Sequence, residues 1–369
     1  MNTSLACLMA LVAAEPAAAP VVEPIYTLSS EFPAAIRGQS PYDRAPGSIG
    51  TPSPSGPFIV PPAFLGANQP AAGEIPGALS FGANAGLQPY RLNAWTGRVD
   101  VGVLPKAPSS GRLGHFGITE FDLELKMATL AAPGWIVSFA QQFNVRWWDG
   151  PSDAGVDGAV APPTADIPGN GLPSHAFRVG WDLELVSPTQ GPWSFQVAFN
   201  PALATDFDGG IGSDAWNFDG RAVLLYRYPQ WTVALGVGFW DRVKDRVIPY
   251  AGIVYRPDDL REWQLTFPKA RVSTFMGNWG GAATWSYVSG EYHVEAYEVM
   301  VDRTHGAASI RDRIELEDWR LMIGMKQEAG QYSSFVEGGW IFGRNVRFQG
   351  PTPGFDISSG LIIRAGVTF

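Results

Sequence analysis

Apolar and polar residues alternate with a period of two along most of the chain after residue 114. In "TEFDLELKMAT", Phe121, Leu123, Leu125 and Met127 share one face, and Asp122, Glu124 and Lys126 share the other. "FRVGWDLELVS", "WSFQVAFNP" and the final "GLIIRAGVTF" repeat the pattern. A period of two puts successive side chains on opposite faces of a strand, so the repetition predicts an antiparallel sheet. The predicted strands lie near 94–104, 114–127, 135–148, 176–187, 191–202, 214–227, 230–241, 247–256, 262–276, 281–289, 291–302, 312–326, 332–343 and 358–369. Pro268 should break or bulge the ninth, because proline donates no hydrogen bond to a ladder.

Alternation alone does not separate a water-soluble sandwich from a membrane barrel. In "QWTVALGVGFWDR" the apolar face runs from Trp231 to Phe239 with an aromatic at each end, while Gly236 and Gly238 lie on the opposite face. At about 3.4 Å per residue that face is about 27 Å long. With strand tilt it approaches the roughly 25 Å apolar band of outer-membrane barrels, whose rims carry aromatic girdles. The connections also sort by length. "EAGQ", "SG", "PDD", "YPQ" and "PTQG" fall on one side, and 344–357, 303–311, 203–213 and 149–175 fall on the other. Short periplasmic turns and long outer loops are the barrel arrangement. The expectation is an all-β, antiparallel transmembrane β-barrel of 12–14 strands in the cell outer membrane, ending in Phe369 as a terminal aromatic for the assembly machinery.

Composition narrows the picture. Charged residues are 17% and the net charge is −9, with no basic cluster for nucleic acid. The single cysteine, Cys7, removes disulfides and Cys-based metal sites from the remainder. "LACLMALVAA" followed by Ala17 and Ala19 predicts a signal peptide over 1–19, although it lacks a basic start. The Pro-, Ala- and Gly-rich stretch 20–92 reads as a periplasmic lead-in, and 93–369 as the barrel. No segment is long and apolar enough for a membrane helix.

The runs "NPALATDF", "GRAVLLYR", "LGVGFWDR", "RVIPYAGIVYRPDD" and "LTFPKARVS", then "DWRLMIGM", "FVEGGWIFGRNV" and "IIRAGVTF", resemble an uncharacterised family of bacterial outer-membrane β-barrel proteins. The resemblance covers about 176–369. It implies fold and location, since the family carries no assigned activity. Lys269 and Ala270 depart from the Pro-Arg-Pro-Arg type run expected there.

Catalytic signatures are missing: there is no G-x-S-x-G, H-E-x-x-H, Walker loop or dinucleotide fingerprint. His293 and Glu295 share a face, a pair more often solvated in a lumen than chemical. Asp206, Asp208 and Asp214 in one predicted outer loop are a weak calcium candidate without EF-hand spacing. The best constellation is inward-facing charge. If Trp319, Val336 and Ile363 face lipid, then Arg320, Glu337 and Arg364 face the lumen. Hairpin pairing puts Arg320 about opposite Gly339 and Arg364 about opposite Gly338, which predicts an Arg–Glu–Arg bridge, with Arg221 adding to the lining. Such a set selects anionic solutes or braces the barrel. The expected function is a porin-like channel or a barrel that binds or transports small solutes. The alternatives are a structural or adhesion barrel with a sealed lumen or, third, a lipid hydrolase. No cofactor or enzymatic activity is implied. The expected partners are outer-membrane lipid and the barrel-assembly machinery.

Overall fold

The computed structural model describes residues 78–80, 86–88, 92–110, 114–150, 171–301 and 309–369. The predicted signal peptide and most of the predicted lead-in lie outside the described residues. Two short strands, β1 (Ala78–Ser80) and β2 (Gly86–Gln88), pair with each other. The barrel strands then follow in order: β3 (Trp95–Pro108), β4 (His115–Ala132), β5 (Trp135–Asp149), β6 (His175–Val186), β7 (Trp193–Thr205), β8 (Trp216–Tyr228), β9 (Trp231–Trp240), β10 (Arg246–Pro249), β11 (Gly252–Asp258), β12 (Arg261–Thr266), β13 (Lys269–Trp279), β14 (Ala282–Val301), β15 (Ile310–Ala329), β16 (Tyr332–Phe348), β17 (Phe355–Ile357) and β18 (Gly360–Thr368).

These sixteen strands form one sheet. Strands β10 and β11 succeed each other along β9, and β17 and β18 along β16, so each pair is a single interrupted stave. Sixteen less two gives fourteen staves. The pairing of β18 with β3 and of β8 with β9 closes the ring. The chain is therefore an all-β, antiparallel, closed fourteen-stave barrel. Closure removes the sheet edges that would otherwise expose unpaired amides.

The alternation is inside-out relative to a soluble protein. Leu235, Val237 and Phe239 point outward and are exposed, as are Leu321, Ile323, Leu361 and Ile363. The buried set includes Glu120, Arg146, Glu184, Arg320, Glu337 and Arg364 on the inner face. Such a surface is stable only against hydrocarbon. Outward aromatics form two rows. Trp95, Trp193, Tyr228, Trp279 and Tyr332 stand near one end, and Trp147, Phe218, Phe239, Trp319 and Trp340 stand higher. Along β16, Tyr332 and Trp340 are eight residues apart. That is about 27 Å along the strand, or about 21 Å across the membrane at a 40° tilt, close to one apolar band.

Turns at 133–134, 229–230, 259–260, 280–281 and 330–331 are two residues long and lie at the end where β3 starts and β18 stops. Gly134, Gly280, Gly281 and Gly330 have positive φ there, which glycine supplies without steric cost. By the short-turn rule this is the periplasmic end.

The fourteen staves differ from the predicted fourteen strands at two places that cancel. "SG" (Ser289 and Gly290) is not a turn, because β14 runs unbroken through it and pairs Ser289 with Met322. The turn is instead Gly280–Gly281. The predicted strand 262–276 is two strands, β12 and β13, divided at Phe267–Pro268. Proline there ends the ladder outright.

Candidate functional site

The site is the lumen, and the division at Pro268 shapes it. Strand β13 pairs with β14 only as far as Lys269↔Glu291. Just beyond, the Tyr292 amide donates to the Pro268 carbonyl at 2.9 Å. Further outward, β14 keeps β15 on one edge as far as Val301↔Ile310 but has no β13 on the other. That edge is met by other groups. Arg242 Nε donates to the Val294 carbonyl at 3.2 Å, and Asn217 Nδ2 donates to the Ala296 carbonyl at 3.0 Å. The Asp206 amide donates to the Glu298 carbonyl, and the Met300 amide donates to Asp206 Oδ2 at 2.7 Å. Glu298 forms a parallel bridge with Thr205 at the end of β7.

Strand β14 thus reaches β7 directly and bypasses β8, β9, β10/β11, β12 and β13. Fourteen staves less these five leave nine around the outer end. The back of β14 packs on the inner face of the bypassed wall. Tyr292 and Val294 meet Val223, Leu225, Ala234, Ile248, Tyr250 and Val254 in an apolar cluster. Gly238 makes this possible, because a Cβ there would run into the Tyr250 ring.

The inside of the narrow ring is filled by a second apolar cluster. Phe116, Tyr297, Ile314, Ile341 and Ile362 are each 0% exposed. The Trp148 and Tyr297 rings meet edge-on at 5.7 Å, and the Phe116 and Phe355 rings meet the same way at 6.2 Å. These side chains keep no surface open to water.

Below this plug lies a layer of ion pairs joining different walls. Arg320 of β15 donates to Glu120 of β4 at 2.8 and 3.1 Å and to Asp318 at 2.8 Å. Arg146 of β5 donates to Glu295 of β14 at 2.5 and 3.0 Å and to Asp122 at 2.7 Å. His293 sits between them, 3.2 Å from Glu295 and 3.6 Å from Asp318. The His293–Glu295 pair singled out in the sequence is thus one link in a network of charges. Behind the hairpin, Arg246 pairs with Glu315 at 2.5 Å and with Glu317 at 2.9 Å.

Arg320, Glu337 and Arg364 do face inward, but they do not form one bridge. Arg364 stands directly opposite Glu337, with Nη2 2.6 Å from Oε1. The pair is close in distance, yet neither of those atoms is aligned as a hydrogen bond. Tyr287 donates to the other Glu337 oxygen at 2.9 Å. Arg320 lies opposite Ile341, not Gly339, and goes to Glu120 instead. The cause is the two-residue Gly330–Gln331 turn, which pairs Ala329 with Tyr332 and shifts the expected register by two. Arg221 lines another part of the lumen, 3.6 Å from both Asp182 and Glu184.

The three aspartates of the calcium candidate are not gathered into a ligand set. Asp206 accepts the Asp208 amide at 2.9 Å and ties the loop to β14, while Asp214 lies in the short 3-10 turn Ser213–Ala215. Among the described residues no group of three or more His, Cys, Asp or Glu side chains could hold a metal. Phe369 exchanges backbone hydrogen bonds with Gly97 at 2.8 Å, and its ring fills the place of a Gly97 side chain. Sequence reasoning missed Glu120, Asp318, Arg146, Arg246, Glu315 and Glu317 as members of the network.

These features define a β-barrel of the bacterial outer-membrane type. No family model matches the chain, and no curated protein matches it. The resemblance to an uncharacterised family therefore rests on its motifs alone. Solved structures that match are outer-membrane barrels. An outer membrane channel from Pseudomonas putida F1 is 11% identical, with a TM-score of 0.36, covering 79% of this chain and 100% of that one. LpxR from Salmonella typhimurium is 9% identical, with a TM-score of 0.33, covering 74% and 99%. A mutant of the Rh. blastica porin is 11% identical, with a TM-score of 0.29, covering 75% and 99%. These scores are too low for any residue or activity to be carried across.

Proposed function

We propose that this chain is a porin-like barrel of the outer membrane that handles small solutes in its lumen and is held shut at its outer end. It is not an enzyme on this reading. The carrying observation is the path of β14, which leaves the wall at Tyr292 and closes a nine-stave ring against β7. Fourteen staves enclose more space than side chains alone need to fill. The lower lumen keeps charged groups partly exposed, among them Asp122 at 30% and Lys126 at 28% of side-chain area. A purely structural barrel has no use for such a lining, whereas a polar solute does. Passage then requires the β14–β15 hairpin to move off β7.

The zero exposure of the outer plug favours a second reading, a structural barrel with a permanently sealed lumen. Single-channel recording in a planar bilayer under a salt gradient separates the two. The gated reading expects rare, discrete openings of the wild type and frequent ones in R146A and R320A, which lose the cross-lumen pairs. Steady silence from all three, with insertion verified, supports the sealed barrel. A large and continuous wild-type current overturns the closed outer end.

A further inference from the structure

Arg344 lies on the inner face of β16, between Ile341 and Val346 and opposite Ile357 of β17. It is 3% exposed, and its neighbours along the strand belong to the apolar plug. Its Nη1 is 4.0 Å from the place a Gly360 Cβ would take, and the same place is 3.8 Å from the Ala107 Cβ. Neither terminal nitrogen of Arg344 has a hydrogen-bond partner.

Nearby cations are differently placed. Arg320 holds Glu120 and Asp318, Arg146 holds Asp122 and Glu295, and Arg364 faces Glu337. The charges whose fields reach Arg344 are Asp318, Glu120 and Arg320, together one net negative charge, but their hydrogen bonds run to one another and none reaches a terminal nitrogen of Arg344. A guanidinium stays protonated and carries five donors. Leaving its terminal donors buried without an acceptor is costly.

The surroundings say what would satisfy it. Both terminal nitrogens lack an acceptor. The two terminal nitrogens form a fork that matches the two coplanar oxygens of a carboxylate. A phosphate or sulfate would want further donors, whereas Arg344 stands opposite Ile357, on a strand with Ile341 and Val346, and close to Ala107. We infer that the outer lumen, when the β14–β15 hairpin moves off β7, binds an apolar-tailed monocarboxylate, with the carboxylate on Arg344 and the tail toward the aliphatic plug. This deepens the solute-handling reading and rests on it.

The test uses the full chain folded in detergent micelles, hexanoate as the probe and 1-hexanol as its uncharged counterpart. Binding is read by titration calorimetry and heat resistance by loss of the folded gel band. The expected result is saturable hexanoate binding that R344M weakens at least tenfold and R344K weakens less. Acetate binds more weakly than hexanoate, and hexanol does not distinguish wild type from R344M. Without ligand, R344M resists heat at least as well as wild type, since it removes buried donors that have no acceptor. Equal hexanoate affinity in wild type and R344M overturns the inference, as does acetate binding as tightly as hexanoate. So does a ligand-free R344M that is less stable or fails to fold, because Arg344 would then have a partner within the protein. Arg344-dependent binding in a barrel that never conducts keeps the carboxylate site and removes transport. Conduction without such binding does the reverse.

Discussion

Arg320 is the sharpest test of whether the lumen is a dry brace or a wet pore. Its side chain is 2% exposed and that of Glu120 is 3% exposed. Two hydrogen bonds join them, and Asp318 takes a third at 2.8 Å. R320M keeps the volume and deletes the charge. Glu120 is then left buried without its cation, while Asp318 keeps His293 at 3.6 Å, and breaking a buried pair from one side costs about 3–5 kcal/mol. E120Q is milder, because Arg320 keeps Asp318 and Gln still accepts one hydrogen bond; loss of a charged bond is about 1.5–3 kcal/mol. The double variant R320M/E120Q removes both ends, so its cost should fall short of the sum of the single costs by about 1–3 kcal/mol. Reversible urea unfolding in detergent or lipid, with the gel shift of the folded barrel as a second reading, measures all three. A loss below about 1 kcal/mol for R320M, with additive singles, is the behaviour of exposed, screened charges. That outcome would refute a dry ion-pair layer beneath the plug.

Other consequences are as direct. E337Q removes the charge facing Arg364 while keeping an acceptor for Tyr287; the loss should stay below the about 3–5 kcal/mol of breaking a buried pair from one side, because Arg364 keeps Glu291 at 3.7 Å, and a thermal midpoint equal to wild type would contradict the pairing. G238L drives a side chain into the Tyr250 ring and should cost at least about 1–3 kcal/mol through overpacking, with folded yield and urea midpoint as readouts. A T205C/E298C pair should form a disulfide under mild oxidation, because these residues are bridge partners; on the gated reading, oxidation abolishes residual openings and reduction restores them. In the periplasmic turn, Arg261 donates to Asp258 at 2.7 and 2.9 Å and holds its carboxyl below the ordinary 3.8. A carboxyl depressed on folding contributes stability above its unfolded value and loses it as pH falls through the folded one. The contribution is small for an exposed pair. An NMR titration should place Asp258 below 3.8 in wild type and raise it toward the ordinary value in R261A, where the Leu260 amide still donates to it.

Much of the barrel was legible because lipid imposes a strict rule on every strand. Trp319, Leu321 and Ile323 could only be outward, so the inward parity of Arg320 followed. The partner of Arg320 did not follow, since a turn two residues tighter moves every pairing by two and carries an arginine from one carboxylate to another. The strand total agreed for a mixed reason. Proline at 268 ended a strand where a bulge was an allowed reading, and Gly290 was passed through where a turn was expected. Glycine permits a turn but does not impose one, whereas proline removes a ladder donor in every context.

The inward path of β14 and β15 did leave a mark in the sequence, in the parity of charge rather than in its presence. In "IRDRIELEDWRLMI" the outward positions set by Trp319, Leu321 and Ile323 continue back through Glu317, Glu315 and Arg313. Between Arg313 and Glu317 the inward positions are Ile314 and Leu316. On a strand in the wall this order would put three charges toward lipid or the interface and apolar groups toward the lumen. The structure resolves the contradiction by taking that half of the hairpin out of the wall. Glu315 and Glu317 then meet Arg246, Arg313 meets Asp241, and Ile314 and Leu316 join the plug. Strand β14 inverts at the same height: Glu298 takes an outward position while Tyr297, Val299 and Val301 pack inside. The inversion has a corollary for design. Replacing Glu315 and Glu317 with leucine would make the outer half of β15 read like its lower half and favour its return to the wall. Arg246 would lose both partners, and the nine-stave closure would weaken. If E315L/E317L instead left the T205C/E298C cross-link forming at the wild-type rate, the charges on that face would not be what keeps β14 inside.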